Sequence, residues 1–291
     1  MRRLPSLLNT HRMSLIANNT DPAARRRLLS ADEPAAFSVL ECPAPRYPLL
    51  LVCDHASARI PRSLGKLGLG DDMLAEHIAW DIGAAAVVRA LHEKLQVPAV
   101  LANYSRLVID CNRPLAHRHS ISEISAEVTV PGNCGLSAAD RALRLEDIFK
   151  PYHQAIAAQL ALLSQNAMAP AVIAVHSFTP MLVGFQRPWH CGILWDKDDR
   201  LAIPMLAALR ALQSFKVGDN EPYSGRHPED YTLDTHAEAA GLPHVAIELR
   251  QDLIAHEAGA GQWAGILTAV LKPLLADPKL FTRLQEVNHD D

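Results

Sequence analysis

The chain has 291 residues, enough for one large domain or two small ones with a sizeable core. Its net charge of −4 gives no reason to expect nucleic acid or an anionic membrane as a partner, and no apolar run is long enough to span a bilayer. The five cysteines form no CxxC pair, so we expect reduced thiols in a cytoplasmic protein. Fourteen histidines are a reason to look for a metal site.

The first 36 residues differ in composition from the rest of the chain. Arginines alternate there with short apolar patches, and no acidic residue precedes Asp21. The apolar stretch 4–8 is too short for the core of a signal peptide. We therefore predict a weakly ordered extension over residues 1–36 and a single domain over residues 37–291.

Two apolar runs, 47–53 and 171–175, are typical of strands buried on both faces of a parallel sheet. His55 closely follows the first run, and His176 directly follows the second. Ligands of open α/β sheets bind at the carboxyl ends of strands, so we expect both imidazoles at one rim of the sheet.

Residues 72–95 have helical periodicity and an acidic start. His77 and Asp81 stand four residues apart on this predicted helix, so they would share one face. The spacing suits either a pair of metal ligands or a hydrogen-bonded pair. A strand is predicted to begin near Val97.

The segment 104–114 alternates apolar and polar residues, which predicts a strand. Arg106, Asp110 and Asn112 would lie on one face, with Arg113 just beyond the strand. Two arginines and an amide form a clamp for a carboxylate, because guanidinium offers a planar fork of donors. The alternative is a structural salt bridge between Arg106 and Asp110.

The second half of the chain continues the alternation of helices and strands. A long polar loop over 115–135 suggests a lid or binding loop, and a helix over 138–164 is expected to kink at Pro151. A polar loop over 217–225 offers Tyr223 as a possible ligand contact. The pattern as a whole predicts an α/β sandwich with a mostly parallel central sheet.

Another apolar strand, 245–250, carries Glu248 and Arg250 on one face. A carboxylate in such a strand must find a partner or take part in chemistry. Two imidazoles and one carboxylate are a common catalytic zinc set, and a further carboxylate can take a proton from water. Together with the clamp, these parts predict hydrolysis of an amide near a free carboxyl group.

These motifs resemble those of the N-formylglutamate amidohydrolase family, which is itself similar to zinc carboxypeptidases and aspartoacylases. The matching segments are 53–57, 81–83, 104–106 through 112–114, 217–224 and 248–252. The resemblance implies a three-layer α/β/α sandwich with a mostly parallel, mixed central sheet, of the phosphorylase/hydrolase type and related to zinc carboxypeptidases. It also implies a zinc ion, or another divalent metal, as cofactor. The family name implies N-formyl-L-glutamate as substrate. The loop 115–135 differs from that of the family's histidine-degradation enzyme, so the substrate rests on the family name alone.

The resemblance also implies roles for individual residues. His55 and His176 would be zinc ligands, Arg106 would polarise the scissile carbonyl, and Glu248 would be the general base. The substrate would be held by the residues Asn112, Arg113, Arg250 and Tyr223, the first two on its carboxylate.

One position departs from the carboxypeptidase plan, which places a glutamate ligand three residues after the first histidine. Here that residue is Ala58. The third ligand must come from elsewhere, with Asp81 as first candidate and Asp54 as second. A related deacylase or carboxypeptidase-like hydrolase remains an alternative, as does a carboxylate-binding protein without metal. The partner expected is a small N-acyl amino acid, and the sequence gives no indication of the oligomeric state.

Overall fold

The computed structural model describes residues 26–166, 168–226 and 230–284. Its strands, in chain order, are β1 (Phe37–Leu40), β2 (Leu49–Cys53), β3 (Ala99–Ala102), β4 (Ile124–Ser125), β5 (Val128–Thr129), β6 (Ala171–Phe178), β7 (Met181–Leu182), β8 (Phe185–Gln186), β9 (Cys191–Leu194), β10 (Val217–Asp219) and β11 (His244–Arg250). The helices are α1 (Asp71–Ala75), α2 (Ala84–Leu95), α3 (Ala138–Arg144), α4 (Lys150–Leu163), α5 (Ala202–Ala211), α6 (Thr232–His236) and α7 (Glu257–Leu275).

Seven of these strands form one central sheet in the order β1-β3-β2-β6-β11-β9-β10. Strands β3, β2, β6 and β11 run parallel to one another, whereas the flanking strand β1 pairs antiparallel with β3 and β9 pairs antiparallel with β11. The predicted mixed, mostly parallel sheet is confirmed. The four parallel strands bring their carboxyl ends to one edge, where an open α/β sheet binds its ligands.

Helices cover both faces of the sheet, so the predicted three-layer sandwich is confirmed. Strand β2 illustrates how the sequence builds it, because alternate side chains point to opposite faces. Leu49 and Leu51 belong to the core beneath α2, α5 and α7, and Leu50 and Val52 belong to the core beneath α4. All four are fully buried.

The segment 104–111 is not a strand, contrary to the alternation of its residues. Both parities are buried, Val108 as fully as Leu107. Its polar side chains satisfy the backbone locally: Ser105 Oγ accepts from the Leu107 N–H at 3.1 Å, and Asp110 Oδ1 accepts from the Asn112 N–H at 2.9 Å. Such bonds offer the backbone an alternative to a sheet ladder, and the segment folds into consecutive turns.

The predicted helix over 72–95 is interrupted between α1 and α2. Gly83 precedes α2 with a φ of +83°, and a Cβ there would lie 2.2 Å from the carbonyl oxygen of Ile254. The chain therefore leaves the helical path at residues 76–83, which carries Asp81 to the sheet edge. His77 and Asp81 do not share a helix face.

The remaining predicted elements need smaller changes. The helix over 138–164 is split by a π-helical turn at Leu145–Phe149, and Pro151 lies in the first turn of α4, where its missing N–H has no intrahelical partner to lose. The predicted loop 115–135 contains the small hairpin β4–β5, and β7–β8 forms a second hairpin.

The predicted extension over residues 1–36 lies mostly outside the described residues, which begin at Arg26. Leu28 is buried in the core beneath α4, and its N–H donates to Asp147 Oδ2 at 2.6 Å. None of the described helices combines the length and hydrophobicity that crossing a bilayer would require. All five cysteines are free thiols.

Candidate metal centre and active site

A cavity of about 500 Å³ opens at the carboxyl ends of the parallel strands. Eight of the site residues predicted from the sequence line it: His55, Asp81, Arg106, Asn112, Arg113, His176, Tyr223 and Glu248. Arg250 is not among the described residues that line it. The Arg250 Nε instead donates to Asp252 Oδ1 at 2.8 Å, and one Nη donates to the Trp189 carbonyl at 3.4 Å.

Three buried side chains in this cavity form a group that could hold a metal ion: His55, Asp81 and His176. Asp81 Oδ2 lies 3.0 Å from His176 Nδ1 and 3.3 Å from His55 Nδ1. Each residue offers one ligand atom, and the three atoms lie within 4.8 Å of one another. Donors this close can share one cation at the usual zinc–nitrogen and zinc–oxygen distances of about 2.0–2.2 Å.

Asp81 reaches this group through the interruption of the predicted helix. Its N–H donates to the carbonyl of His55 at 2.9 Å, which ties the interrupted segment to the end of β2. Its Oδ2 also accepts from the backbone N–H of Ser177 at 3.3 Å, next to His176 on β6. Two neighbouring strand ends therefore fix the position of this carboxylate.

Each imidazole is held from behind by a second carboxylate. His55 Nε2 lies 2.7 Å from Asp110 Oδ1, and His176 Nε2 lies 3.4 Å from Asp54 Oδ2. Carboxylates on the far nitrogen fix the tautomer and orientation of a ligating histidine and raise its basicity. Both Nδ1 atoms then face Asp81 as the ligand atoms.

Asp54, the second candidate for third ligand, lies outside the group of three. Its Oδ1 accepts from the hydroxyls of Tyr152 at 2.8 Å and Thr232 at 2.6 Å. Burial works to raise the pKa of Asp54, but His176, His55 and the Thr232 hydroxyl lower it to about 2. Asp54 is therefore an anionic support for His176.

The charges of the site suit a divalent cation. Burial opposes ionisation of Asp81, yet His55 and His176 hold its pKa well below the usual range, and His55 and Arg106 do the same for Asp110. With Asp54, three aspartates then face one arginine, so the site carries two excess negative charges when both imidazoles are neutral. Burial opposes protonation of His176, but Asp54 and Asp81 raise its pKa well above the ordinary value. The same negative charges would stabilise a metal cation bound at this group. The donor set and the charge both fit a bound zinc ion.

Glu248 lies beside this group. Its Cα is the register partner of His176 on β6, and its residue is 7% exposed. Burial raises the pKa of Glu248 to about 8 in the metal-free protein. Its Oε2 has no hydrogen-bond partner among the described residues, and an unpaired buried oxygen costs about 1–3 kcal/mol. A carboxyl group whose pKa lies in this range is suited to exchange a proton with a ligand in the cavity near neutral pH.

Arg106 forms the salt bridge that the sequence left as an alternative. Its Nη2 donates to Asp110 Oδ2 at 2.9 Å, and its Nη1 lies 3.5 Å from Asp81 Oδ1. Its side chain is still 23% exposed on the cavity side. Burial opposes its charge, but Asp110 and Asp81 raise the pKa of Arg106 above the ordinary value, so it is a permanent cation.

Asn112 and Arg113 line the cavity together with Asp230. Asn112 Oδ1 accepts from the N–H groups of Tyr231 and Thr232, both at 3.0 Å, which leaves its amide N–H groups as donors toward a ligand. Arg113 Nη1 donates to Asp230 Oδ1 at 2.8 Å. A substrate carboxylate at Arg113 would share the guanidinium with Asp230.

Tyr223 is held by an arginine that the sequence did not single out. Arg187 Nη2 donates to the Tyr223 hydroxyl at 3.1 Å, and the guanidinium carbon lies 4.9 Å from the ring centre. Arg187 is 3% exposed and fixes Tyr223 at the cavity edge. The loop that carries Tyr223 packs closely on strand β9. A Cβ at Gly192 would lie only 2.1 Å from the carbonyl oxygen of Glu221, so a glycine is needed there.

Sequence reasoning missed the residues that support the site rather than line it. Tyr152, Thr232 and Arg187 carry no motif, and each is recognisable only by what it contacts. Asp54 was predicted only as a second candidate ligand, and its position beside His176 was not expected from the sequence.

The three-layer α/β/α fold carries a cavity and a buried group of possible metal ligands at its strand ends, where open α/β sheets bind their ligands. The family model of N-formylglutamate amidohydrolase matches residues 47–255. The chain belongs to this family, so the resemblance drawn from its motifs is confirmed and it is a hydrolase that acts on amide bonds.

Two solved structures are similar to this chain. A gene product of Agrobacterium tumefaciens is 39% identical with a TM-score of 0.82, over 86% of this chain and 98% of its own. An N-formylglutamate amidohydrolase of Ralstonia eutropha is 18% identical with a TM-score of 0.66, over 85% of this chain and 98% of its own, and shares the fold. The comparison with curated protein sequences gave no match.

Proposed function

We propose that this protein is a zinc-dependent amidohydrolase that removes the acyl group from an N-acyl amino acid. N-formyl-L-glutamate, split into formate and L-glutamate, is the first substrate to test. The observation that carries the proposal is the buried group His55, Asp81 and His176 with Glu248 beside it. Zinc suits this donor set, although another divalent metal would bind the same atoms.

A zinc ion held by these three residues would supply a Lewis acid, which acidifies water and polarises a carbonyl. Glu248 is the proposed general base: its unpaired Oε2 takes the proton of the attacking water and passes it to the leaving amine. Arg106 is the proposed partner of the scissile carbonyl oxygen, because it is a fixed cation that borders the cavity.

The carboxylate of the substrate is assigned to Asn112 and Arg113. The amide N–H groups of Asn112 and the guanidinium of Arg113 are donors at one wall of the cavity, and Tyr223 borders the same space. Charge-assisted bonds to these groups would hold the amide in place for attack. Arg250 is a weaker candidate, since its guanidinium is paired with Asp252.

The alternative of a metal-free carboxylate-binding protein was motivated by Ala58. This residue packs in a small apolar cluster with Ile60 and Leu107, away from the residues that line the cavity. A ligand at that position is not required when Asp81 completes the group from another segment. The free cysteines agree with the cytoplasm as the place of action.

The proposal is tested by formate release from N-formyl-L-glutamate and by a panel of other N-acyl amino acids and dipeptides. The expected result is turnover of at least one N-acyl amino acid by the wild type, loss in His176→Ala, and retention in His190→Ala, a histidine outside the cavity lining. Binding of N-acyl amino acids without turnover, in zinc-loaded protein, would favour the binding protein. Turnover of dipeptides alone would favour a carboxypeptidase-like enzyme.

A further inference from the structure

A second cleft, of about 640 Å³, adjoins the catalytic cavity. The two spaces share the side chains of His77, Arg106, Arg113 and Tyr223 as lining. His55, His176 and Glu248 line the catalytic cavity alone. The cleft is therefore a continuation of the site, and the three candidate metal ligands do not line it.

Two surface hairpins supply apolar lining to the cleft, which polar side chains such as Glu76, His119 and Thr179 also line. Ile124 and Val128 line it from the hairpin β4–β5, and Leu182 lines it from β7–β8. Met73 and Ile78, from α1 and the turns after it, add further apolar lining. Ile124 is 58% exposed and Leu182 is 43% exposed, so apolar side chains that face this space lack cover in the described residues.

A formyl group has a single carbon and gives this surface nothing to bind. An apolar group that enters the cleft would instead bury these side chains, which is favourable in proportion to the area removed from water. Because the cleft is continuous with the catalytic cavity through Arg106 and Tyr223, its occupant can be part of the substrate itself.

We propose that the cleft binds the acyl group of the substrate, so that the enzyme prefers N-acyl amino acids with an apolar acyl group of several carbons over N-formyl amino acids. The inference rests on the proposed function, since it assigns the acyl side of the same amide. Arg106 decides the direction: it is the proposed partner of the acyl carbonyl and also lines the cleft, so the chain attached to that carbonyl continues there. Of the two residues assigned to the carboxylate, Asn112 lines the catalytic cavity but not the cleft, and Arg113 lies where the two spaces join.

The test is a series of N-acyl-L-glutamates with formyl, acetyl, butanoyl, hexanoyl and octanoyl groups. We expect kcat/KM to rise by roughly two- to fourfold for each methylene that enters the cleft, until the cleft is filled. The same series on N-acyl-L-alanines checks that the gain follows the acyl group. A constant kcat/KM along the series, or a preference that follows only the amino-acid side chain, would overturn the proposal.

Leu182→Ala removes an apolar contact from the cleft on an exposed hairpin. We expect it to lower the ratio of octanoyl to formyl kcat/KM by roughly threefold to tenfold. Phe185→Ala is the matched control, because Phe185 lies on the same hairpin, is 59% exposed and is not among the residues that line the cleft. An equal effect of both variants would overturn the assignment of the cleft.

Calorimetric binding of N-octanoyl-L-glutamate to the Glu248→Gln protein separates this proposal from the proposed function. Binding that weakens in Leu182→Ala, without turnover of any substrate by the parent enzyme, would uphold the cleft while the hydrolytic function fails. Turnover of N-formyl-L-glutamate with no gain from longer chains would uphold the function while the cleft fails. Light scattering adds a third outcome: a dimer that dissociates in Leu182→Ala, with no dependence on chain length, would assign the apolar surface to a second copy of the chain.

Discussion

Glu248 on β11 lies directly opposite His176 on β6 in the parallel register of the central sheet. The candidate base and a candidate metal ligand are thus fixed by two buried strands rather than by loops. Rigid placement of this kind holds reacting groups in position without an ordering cost during the reaction.

Replacing Glu248 with glutamine should remove the proposed base while keeping the shape of the side chain. We expect kcat to fall by roughly 10²–10⁴-fold with bound zinc unchanged. Steady-state kinetics and metal analysis on the same preparation test this, with Glu93→Gln as a control on an exposed helix face. Loss of zinc together with activity would show instead that Glu248 helps to hold the metal.

The raised pKa of Glu248 predicts how stability depends on pH in the metal-free protein. Its folded-state pKa of about 8 lies above the ordinary 4.5, so the folded state keeps this proton while the unfolded chain loses it. The stabilisation is full below about pH 4.5 and is lost as the pH rises through 8. Between pH 5.5 and 8.5, urea unfolding should show a larger fall in the free energy of unfolding for wild type than for Glu248→Gln, by on the order of a few kcal/mol. Parallel pH profiles would mean that Glu248 is already ionised in the folded protein.

Asp54→Asn tests the support behind His176. The amide keeps an oxygen for the hydroxyls of Tyr152 and Thr232 but removes the charge that faces the imidazole. We expect zinc affinity to weaken by roughly tenfold to a hundredfold, measured by competition with a chelator. Asp252→Asn, a surface change, should leave affinity unchanged.

Arg113→Lys tests the clamp for the substrate carboxylate. Lysine keeps the charge but loses the two-pronged geometry, which should cost about 2–3 kcal/mol, or roughly thirtyfold to a hundredfold in kcat/KM. Amidation of the substrate carboxylate should cause little further loss in the variant, because the same contact is already gone. Unchanged kcat/KM, or an unfolded protein, would make Arg113 a structural partner of Asp230.

The buried strands could be predicted from sequence because a strand buried on both faces carries a continuous apolar run, as in β2 and the first five residues of β6. The alternation in 104–111 instead comes from turns whose polar side chains bond to the backbone. These local hydrogen bonds distinguish the turns from a strand, and they are not visible in the pattern itself.

The site was predictable in part for a related reason. His55 and His176 follow apolar strands, so topology alone brings them to one edge of the sheet. Asp81 was predicted from its spacing to His77 on a helix, but no helix covers these two residues. It reaches His55 and His176 because the chain leaves the helical path before Gly83. The roles of Asp54 and Asp110 behind the imidazoles depend on contacts between segments distant in sequence, which spacing cannot supply.

The most direct test of the metal-dependent mechanism is a titration of zinc into protein stripped by exhaustive chelation, with amide hydrolysis measured at each addition. A catalytic zinc ion at this site predicts no activity in the stripped protein and a linear rise in activity that ends at about one zinc per chain. His176→Ala should neither retain zinc at this site nor recover activity. Full activity of the stripped protein, or of His176→Ala, would contradict a catalytic metal at His55, Asp81 and His176.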